Sequence, residues 1–223
     1  MMKSCLISIL VSLVSFTAAW GQASGTQVTE TDSTLTLRNS KVRVEFPKGE
    51  AFDISKLTLN GKELVLSKGY NTVPWTLTYK GPQGENPVLF PSHGEYAGWA
   101  KTTKDGHVAI AFKWNMRLTY QDLVPVVMTV SLPGDSELAY WDIQAGTPDG
   151  WLVSNTQFPR ITVTRPDKAK LITSAGWGAE YNLSNPQVYT SSYPSVTGSM
   201  QLLFLHNPDG SVYYATEDRE ACG

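Results

Sequence analysis

Two glutamates lie in short segments that combine glycine with aromatic residues. Glu95 belongs to HGEYAGW, residues 93–99, and Glu180 belongs to GWGAEYN, residues 176–182. Hydrolysis of a glycosidic bond requires two carboxyl groups, one as acid and the other as base or nucleophile, on the two sides of that bond. The sequence assigns no catalytic residue, but it leaves Glu95 and Glu180 as candidates for catalysis or for hydrogen bonding to a ligand. A solvated loop carboxylate is the alternative interpretation of each.

Aromatic side chains accompany these glutamates, and they suit a carbohydrate ligand. A sugar ring presents an apolar C–H face that packs against the face of an exposed aromatic ring. Glycine and proline favour loops over residues 81–98 and 174–198. The ligand-binding candidates in these predicted loops or directly beside them are His93, Trp99, Trp177, Tyr181 and Tyr193. The alternative is that these rings pack against another domain or simply cap the fold.

Other kinds of chemistry find little support. His93, His107 and His206 show no paired spacing, and no closely spaced cysteine pair occurs, so no zinc site is predicted. An EF-hand pattern is absent from the sequence, although calcium held by loop carbonyls remains open. Neither a glycine-rich loop before a helix nor a G-x-S-x-G motif is found. We therefore expect no metal and no cofactor.

The composition favours a folded domain that binds neither nucleic acid nor membranes. Of the 223 residues, 41% are hydrophobic and 17% are charged, which suits a chain with a core rather than a disordered one. The formal net charge is −2 and the pI about 5.9, so we expect no basic surface for nucleic acid or an anionic membrane. This length fits one all-β domain.

The first 23 residues have the pattern of a signal peptide. Lys3 supplies a positive charge, residues 6–16 are apolar, and small residues follow, with cleavage expected near Ala19 or Ala23. We therefore expect an exported protein, periplasmic or secreted, without a membrane anchor. After cleavage Cys222 would be the one remaining cysteine, so no internal disulfide is expected.

Period-two alternation of apolar and polar residues dominates the rest of the chain and is typical of β-strands. The predicted strands are residues 34–37, 42–46, 54–59, 63–66, 75–79, 107–116, 123–132, 138–144, 151–164, 170–173, 200–206 and 211–216. Their spacing predicts an all-β fold, an antiparallel β-sandwich with little or no helix, over residues 34–218. Residues 24–33 are expected to form a flexible leader, and residues 219–223 a tail.

Three local signals add detail to this prediction. Asn60-Gly61 predicts a tight hairpin, because a primed turn needs positive φ at both central residues. Pro125 lies inside a predicted strand and indicates an edge strand or a bulge, because proline has no backbone N–H to donate. Trp141 and Phe158 lie within apolar strands and are expected in the core.

Five short pieces of the chain, in their order and spacing, resemble the N-terminal β-sandwich domain of multidomain bacterial glycoside hydrolases. They are SELAYWDI (136–143), FPRI (158–161), GWG (176–178), YP leading to SMQ (193–201) and VYYATED (212–218). The resemblance implies the supersandwich fold shared with galactose mutarotase. It also adds Gln201, in the SMQ piece, to the ligand-binding candidates.

In such enzymes the sandwich is followed by a (β/α)8 barrel that holds the catalytic carboxylates. The segment like VYYATED is then the last strand before the barrel, and this chain ends five residues after Asp218. The resemblance therefore implies an accessory domain without the barrel that normally follows it.

Three hypotheses follow for the function. The first is an exported, non-catalytic domain of a glycan-degrading enzyme, which packs on a catalytic barrel and contributes loop residues to a sugar cleft. The second is a free-standing carbohydrate-binding module. The third is a mutarotase-like epimerase or a polysaccharide lyase, in which His93 or His206 works with Glu95 or Glu180. The expected partner is a carbohydrate or a barrel domain, and not nucleic acid.

Overall fold

The computed structural model describes residues 25–48, 53–64, 73–120, 122–161, 169–174, 178–183, 202–207 and 210–215. Within these ranges the chain forms sixteen antiparallel strands, one short 3-10 turn and no α-helix. The predicted all-β antiparallel class, with little or no helix, is therefore confirmed for these residues. None of them belongs to a helix with the length and apolar character to span a bilayer. The predicted signal peptide and tail lie outside the described residues.

Sheet I is a meander of five strands that follow one another along the chain. Its strands are β1 (Gln27–Glu30), β2 (Thr34–Arg38), β3 (Val42–Pro47), β4 (Lys56–Leu59) and β5 (Lys62–Leu64). In β3 the side chains of Val42, Val44 and Phe46 are buried and alternate with more exposed ones, as a period of two requires. β1 lies within the predicted flexible leader and pairs with β2 along its whole length, so that part of the leader prediction is wrong.

The hairpin between β4 and β5 turns at Asn60 and Gly61, as predicted. Their φ angles are 49° and 77°, so both central residues have the positive φ of a primed turn. The Asn60 side chain also donates from Nδ2 to Glu137 Oε1 at 3.0 Å. Lys41 Nζ lies 3.7 Å from the same oxygen. The hydrogen bond from Asn60 and, after it, the charge of Lys41 lower the pKa of the Glu137 carboxyl.

Because the pKa of Glu137 is lower in the folded chain, its ionised form stabilises the fold above the unfolded pKa. That contribution is lost as the pH falls through the folded pKa. We expect Glu137→Gln to lower the melting temperature slightly near pH 7, and this difference should shrink toward about pH 2 as the wild-type carboxyl becomes protonated too. Thermal denaturation followed by circular dichroism measures the difference. A difference that stays constant between these pH values would contradict the assignment.

Sheet II contains the longest strands of the described chain. They are β8 (Gly94–Lys104), β9 (His107–Arg117) and β10 (Leu123–Leu132), and a shorter strand, β11 (Tyr140–Ala145), completes the sheet. The order across the sheet is β11-β10-β9-β8, so β9 and β10 are interior strands. In β9 the Phe112 and Trp114 side chains are buried, whereas those of Lys113 and Asn115 are exposed. This alternation gives the sheet one face of large apolar side chains and one face of small or polar side chains.

Two smaller sheets complete the described fold. Their strands are β6 (Thr76–Lys80), β7 (Val88–Leu89), β12 (Leu152–Gln157), β13 (Lys170–Thr173), β14 (Ala179–Asn182), β15 (Leu202–Asn207) and β16 (Gly210–Ala215). Sheet III has the order β12-β6-β7, and sheet IV has the order β14-β13-β15-β16. The 3-10 turn, Pro91–His93, connects β7 to β8. Of the strand predicted over residues 151–164, the structure shows β12 and then a cis peptide bond at Phe158-Pro159, and residues 162–164 lie outside the described residues.

The core lies where sheets I, II and III meet, and its centre is aromatic. Phe46 of sheet I contacts Phe112 of sheet II, with ring centroids 4.9 Å apart. Trp75, which precedes β6, meets Trp114 of sheet II edge to face at 5.5 Å. All four side chains are almost completely buried. Burial of a side chain of this size contributes on the order of 2–3 kcal/mol, so these contacts dominate the packing of the three sheets.

Trp141 and Phe158 extend this core at its margin. Trp141 lies on β11 and Phe158 follows β12, and their rings meet edge to face at 6.4 Å. Trp141 also contacts Phe46, with centroids 6.2 Å apart. Both side chains are half-buried and pack against the buried cluster. Their predicted place in the core is confirmed, at its edge rather than its centre.

Pro125 lies near the start of an interior strand, so the predicted edge strand is wrong. It pairs with Asn115 of β9, and on the other side Gly146 N–H donates to Pro125 O at 2.8 Å, just beyond the end of β11. A regular antiparallel pair would return a hydrogen bond to the Gly146 carbonyl, but proline has no N–H. The Tyr79 hydroxyl of sheet III donates to that carbonyl instead, at 2.8 Å.

The contact with Pro125 also restricts the size of the residue at position 146. A Cβ atom on Gly146 would lie 2.6 Å from Pro125 Cδ and 3.1 Å from Pro125 Cγ. The proline ring is rigid, so the backbone itself would have to move. Burial raises the pKa of Tyr79, so its hydroxyl keeps the proton that it donates. Pro125, Gly146 and Tyr79 therefore act together, and we call them the Pro125 junction.

We expect Gly146→Ala to destabilise the fold by about 1–3 kcal/mol, because the added methyl group meets the proline ring. Tyr79→Phe should cost about 1 kcal/mol, because the part-buried Gly146 carbonyl loses its donor. In a Pro125→Val background both losses should shrink, since valine removes the ring and supplies an N–H. Urea denaturation of the single and double variants measures this coupling. Purely additive losses would show that the three residues do not act together.

Candidate functional site

The structure places Glu95 and Trp99 on β8 and not in a loop, so that prediction is wrong. β8 is an edge strand with a bulge next to Gly98, whose φ is 107°. Glu95 is exposed, whereas Trp99 is half-buried against the core, so the two side chains lie on opposite faces of the strand. His93 ends the 3-10 turn, and its Nδ1 lies 3.3 Å from Val88 O.

Glu180 and Tyr181 lie on β14, in a second segment that was predicted as a loop. Glu180 Oε1 is 2.6 Å from Lys170 Nζ on the neighbouring strand, and the two side chains are 54% and 46% exposed. Tyr181 is half-buried on the opposite face of the strand. Three further ligand-binding candidates lie outside the described residues: Trp177, Tyr193 and Gln201. Their role stays a prediction.

No hydrogen bond joins the histidines and glutamates proposed for an epimerase, as far as the described chain shows. His206 Nδ1 is 2.7 Å from Ser211 Oγ, and Glu180 is paired with Lys170. Among the described residues, no group of three or more His, Cys, Asp or Glu side chains is placed to hold a metal ion. The geometry therefore gives neither predicted glutamate an acid–base partner.

A different set of side chains comes together on the outer face of sheet II, the face opposite the core. Alternation in β9 and β10 directs large apolar residues inward and small or polar residues outward. Two neighbouring rows of this face run across all four strands, and they are Thr102-Ala109-Ser131-Tyr140 and Ala100-Ala111-Thr129-Asp142. The centre of the outer face is therefore a floor of small side chains.

This floor is covered, although it lies on the outside of the sheet. Ala109 and Ser131 are 0% and 2% exposed, and Ala111 and Thr129 are both 8% exposed. Side chains as small as these cannot cover one another on a flat sheet. Longer side chains at the border of the floor lean across it, and four of them form two contacts.

The first contact joins Lys104 on β8 and Asp142 on β11. These strands are three spacings apart, or about 14 Å across the sheet, yet Lys104 Nζ lies 3.9 Å from Asp142 Oδ2. The second contact joins His107 on β9 and Tyr140 on β11, which are two spacings or about 10 Å apart. Their rings are parallel within 11°, with centroids 6.1 Å apart. The side chains converge over the floor, as they would on a concave surface.

Gln144 completes this group by donating from Nε2 to Asp142 Oδ2 at 3.2 Å. We call Lys104, His107, Tyr140, Asp142 and Gln144 the outer-face cluster. The ion-paired side chains are 39% and 37% exposed and Tyr140 is 41% exposed, so solvent reaches groups that their neighbours orient. The cluster combines donors, acceptors and a ring with a single carboxylate. This arrangement suits binding, since hydrolysis of a glycosidic bond needs two carboxyl groups.

Sequence motifs do not reveal the outer-face cluster. Its members come from three strands and are separated by up to 40 residues along the chain. One signal does exist in β9, where Ala109 and Ala111 alternate with the larger Ile110 and Phe112. A strand with small residues on one face leaves room above that face. The partners that fill the room become visible only with the register of the sheet.

The Lys104–Asp142 pair should contribute little to stability, because both side chains are more than a third exposed. Exposed pairs contribute about 0.2–1 kcal/mol. We expect Lys104→Ala to reduce the free energy of unfolding by about 1 kcal/mol or less at low salt, and by less still near 1 M NaCl, where the charges are screened. Urea denaturation at the two salt concentrations measures both values. A salt-independent loss above about 2 kcal/mol would assign the pair a structural role.

Comparison with known proteins finds similarity to one larger protein. The chain is similar to a Bacteroides thetaiotaomicron protein named "Putative glycoside hydrolase", with 36% identity over 220 residues. The matched region is 98% of this chain and 33% of the relative. No family model matches the chain, and no solved structure matches it. The chain thus spans about a third of the length of the curated relative that it matches.

Proposed function

We propose that this chain is a non-catalytic, accessory domain of a glycan-degrading enzyme. The observation that carries the proposal is the similarity to the Bacteroides glycoside hydrolase, which extends over 98% of this chain. The outer-face cluster supports the non-catalytic part, because it offers one carboxylate where glycoside hydrolysis requires two. Glu95 lies on the same face of sheet II, two residue rows from Asp142, and Glu180 lies on sheet IV. Neither contacts Asp142 or has an acid–base partner among the described residues.

We further propose that the domain is a β-sandwich of the galactose mutarotase-like supersandwich type. The contact between Phe46 of sheet I and Phe112 of sheet II supports two layers that share one apolar core. Alternation in β3 and β9 supports it as well, because each strand has its large apolar residues on the side of the other sheet. The order of the five sequence pieces that resemble such domains is in agreement.

The catalytic residues are proposed to lie in a second domain. The relative has about twice as much chain outside the match as within it, and a (β/α)8 barrel of about 250 residues fits into that length. We propose that this chain packs on such a barrel and contributes residues 174–198 to the edge of its sugar cleft. Export belongs to the same proposal, because polysaccharides are too large to cross a bilayer and the first 23 residues have the pattern of a signal peptide.

The reading frame that continues from this chain in the genome tests the proposal. We expect a barrel domain there, in frame or after a frameshift, with two acidic residues at the carboxyl ends of its strands. The joined product should release reducing sugar from a glycan, whereas the chain of 223 residues should release none. The exported protein should begin at Trp20 or Ser24 when its N-terminus is sequenced. An unrelated gene at this place would contradict the barrel partner, and an intact N-terminus would contradict export.

A further inference from the structure

We infer that the outer-face cluster is a binding site for one ring of a neutral carbohydrate. The position of the site follows from the geometry of sheet II, and the class of ligand rests on the proposed function. The site is distinct from the segments that the sequence marks as aromatic loops. It binds a ring and takes no part in bond cleavage.

Tyr140 supplies the apolar surface of this site. Its side chain is 41% exposed although it lies in a regular strand, and the His107 ring lies parallel to it within 11°. The next residue, Trp141, faces inward and packs against the core. Tyr140 is therefore not needed to fill the interior. A flat, solvent-exposed ring that its neighbour orients matches the C–H face of a pyranose or furanose.

Asp142 and its neighbours supply the polar part. Asp142 Oδ2 accepts a hydrogen bond from Gln144 Nε2 and lies 3.9 Å from Lys104 Nζ, so both contacts are made by the same carboxylate oxygen. No hydrogen bond to Asp142 Oδ1 occurs among the described residues. A sugar hydroxyl both donates and accepts, so it can donate to this oxygen while an adjacent hydroxyl accepts from Lys104 or Gln144. Donors and acceptors placed side by side suit the neighbouring hydroxyls of a sugar.

The balance of charge favours a neutral sugar over a phosphate or another anion. Lys104 and Asp142 compensate each other, and a second anion would meet the Asp142 carboxylate at short range. The parallel rings of His107 and Tyr140 also favour a flat ligand, because together they present a flat aromatic surface at the border of the covered floor. Shape and charge therefore point to the same class of ligand.

Affinity gel electrophoresis of the full chain tests this inference. The probes are xylan, mannan, galactan, arabinogalactan and starch as neutral polysaccharides, with polygalacturonate as an acidic one. The test variants are Tyr140→Ala and Asp142→Asn. Tyr120→Ala is the matched aromatic control, because Tyr120 is 97% exposed at the other end of sheet II. Asp105→Asn is the matched acidic control, because Asp105 has φ 50° in an exposed turn. Asparagine adopts this left-handed conformation as readily as aspartate does.

We expect at least one neutral polysaccharide to retard the wild-type chain. Each test variant should bind about tenfold more weakly or worse, as is typical for a central aromatic or charged contact, and both controls should bind like wild type. Equal binding by wild type and Tyr140→Ala would overturn the inference while leaving the proposed function intact. Retardation by polygalacturonate alone, or by no probe, would overturn it too, and the genomic test of the barrel partner would still decide the proposed function separately.

Chemical protection provides a second readout that needs no variant. Diethyl pyrocarbonate modifies accessible imidazoles, and the three histidines of the chain can be followed separately by mass spectrometry. The polysaccharide that retards the chain should slow modification of His107 severalfold. His93 and His206 serve as internal controls, because both are exposed and lie outside the outer-face cluster. Equal protection of all three, or none at His107, would overturn the inference.

Discussion

The structure depends on side-chain alternation in β9 and β10, because one face of sheet II forms the core and the other holds the outer-face cluster. On the inner face, Phe112 and Trp114 form the aromatic core with Phe46 and Trp75. On the outer face, alanine, serine and threonine leave a low floor. A shift of one residue in register would exchange the two faces and turn the large rings outward. The pattern that fills the core is therefore also the pattern that leaves room for the outer-face cluster.

The Pro125 junction connects this constraint to the position of the cluster. Its hydrogen bond between Gly146 N–H and Pro125 O continues the pairing of β10 with β11 by one residue. Tyr79, from sheet III, supplies the donor that proline lacks. Tyr140 and Asp142 lie on the strand whose register is held in this way. The contacts at the end of β11 thus hold the register that decides which of its side chains face the floor.

Much of the strand content could be predicted from the sequence, and the exceptions have physical reasons. The strands β9 and β10 were predicted to within one residue, because their long, uninterrupted alternation has one interpretation. β8 was predicted as a loop at its start, since a bulge and glycine break the period there. β1 has a weak apolar pattern and gains its order from pairing with β2, which a local pattern cannot reveal. The relation to glycoside hydrolases is supported by the relative that the chain matches over 98% of its length, whereas the mutarotase-like supersandwich stays a prediction.

By itself, the sequence determined the all-β class, the Asn60-Gly61 hairpin and the inward position of Trp141 and Phe158. These features follow from periodicity and turn chemistry, which act between residues close together in the chain. Only the tertiary structure decided that Lys104 meets Asp142, that His107 lies beside Tyr140, and that Tyr79 completes the bonding at Gly146. The reason is that such contacts depend on the order of strands in a sheet and on their register. Both are set by the packing of the whole core, and no single segment contains them.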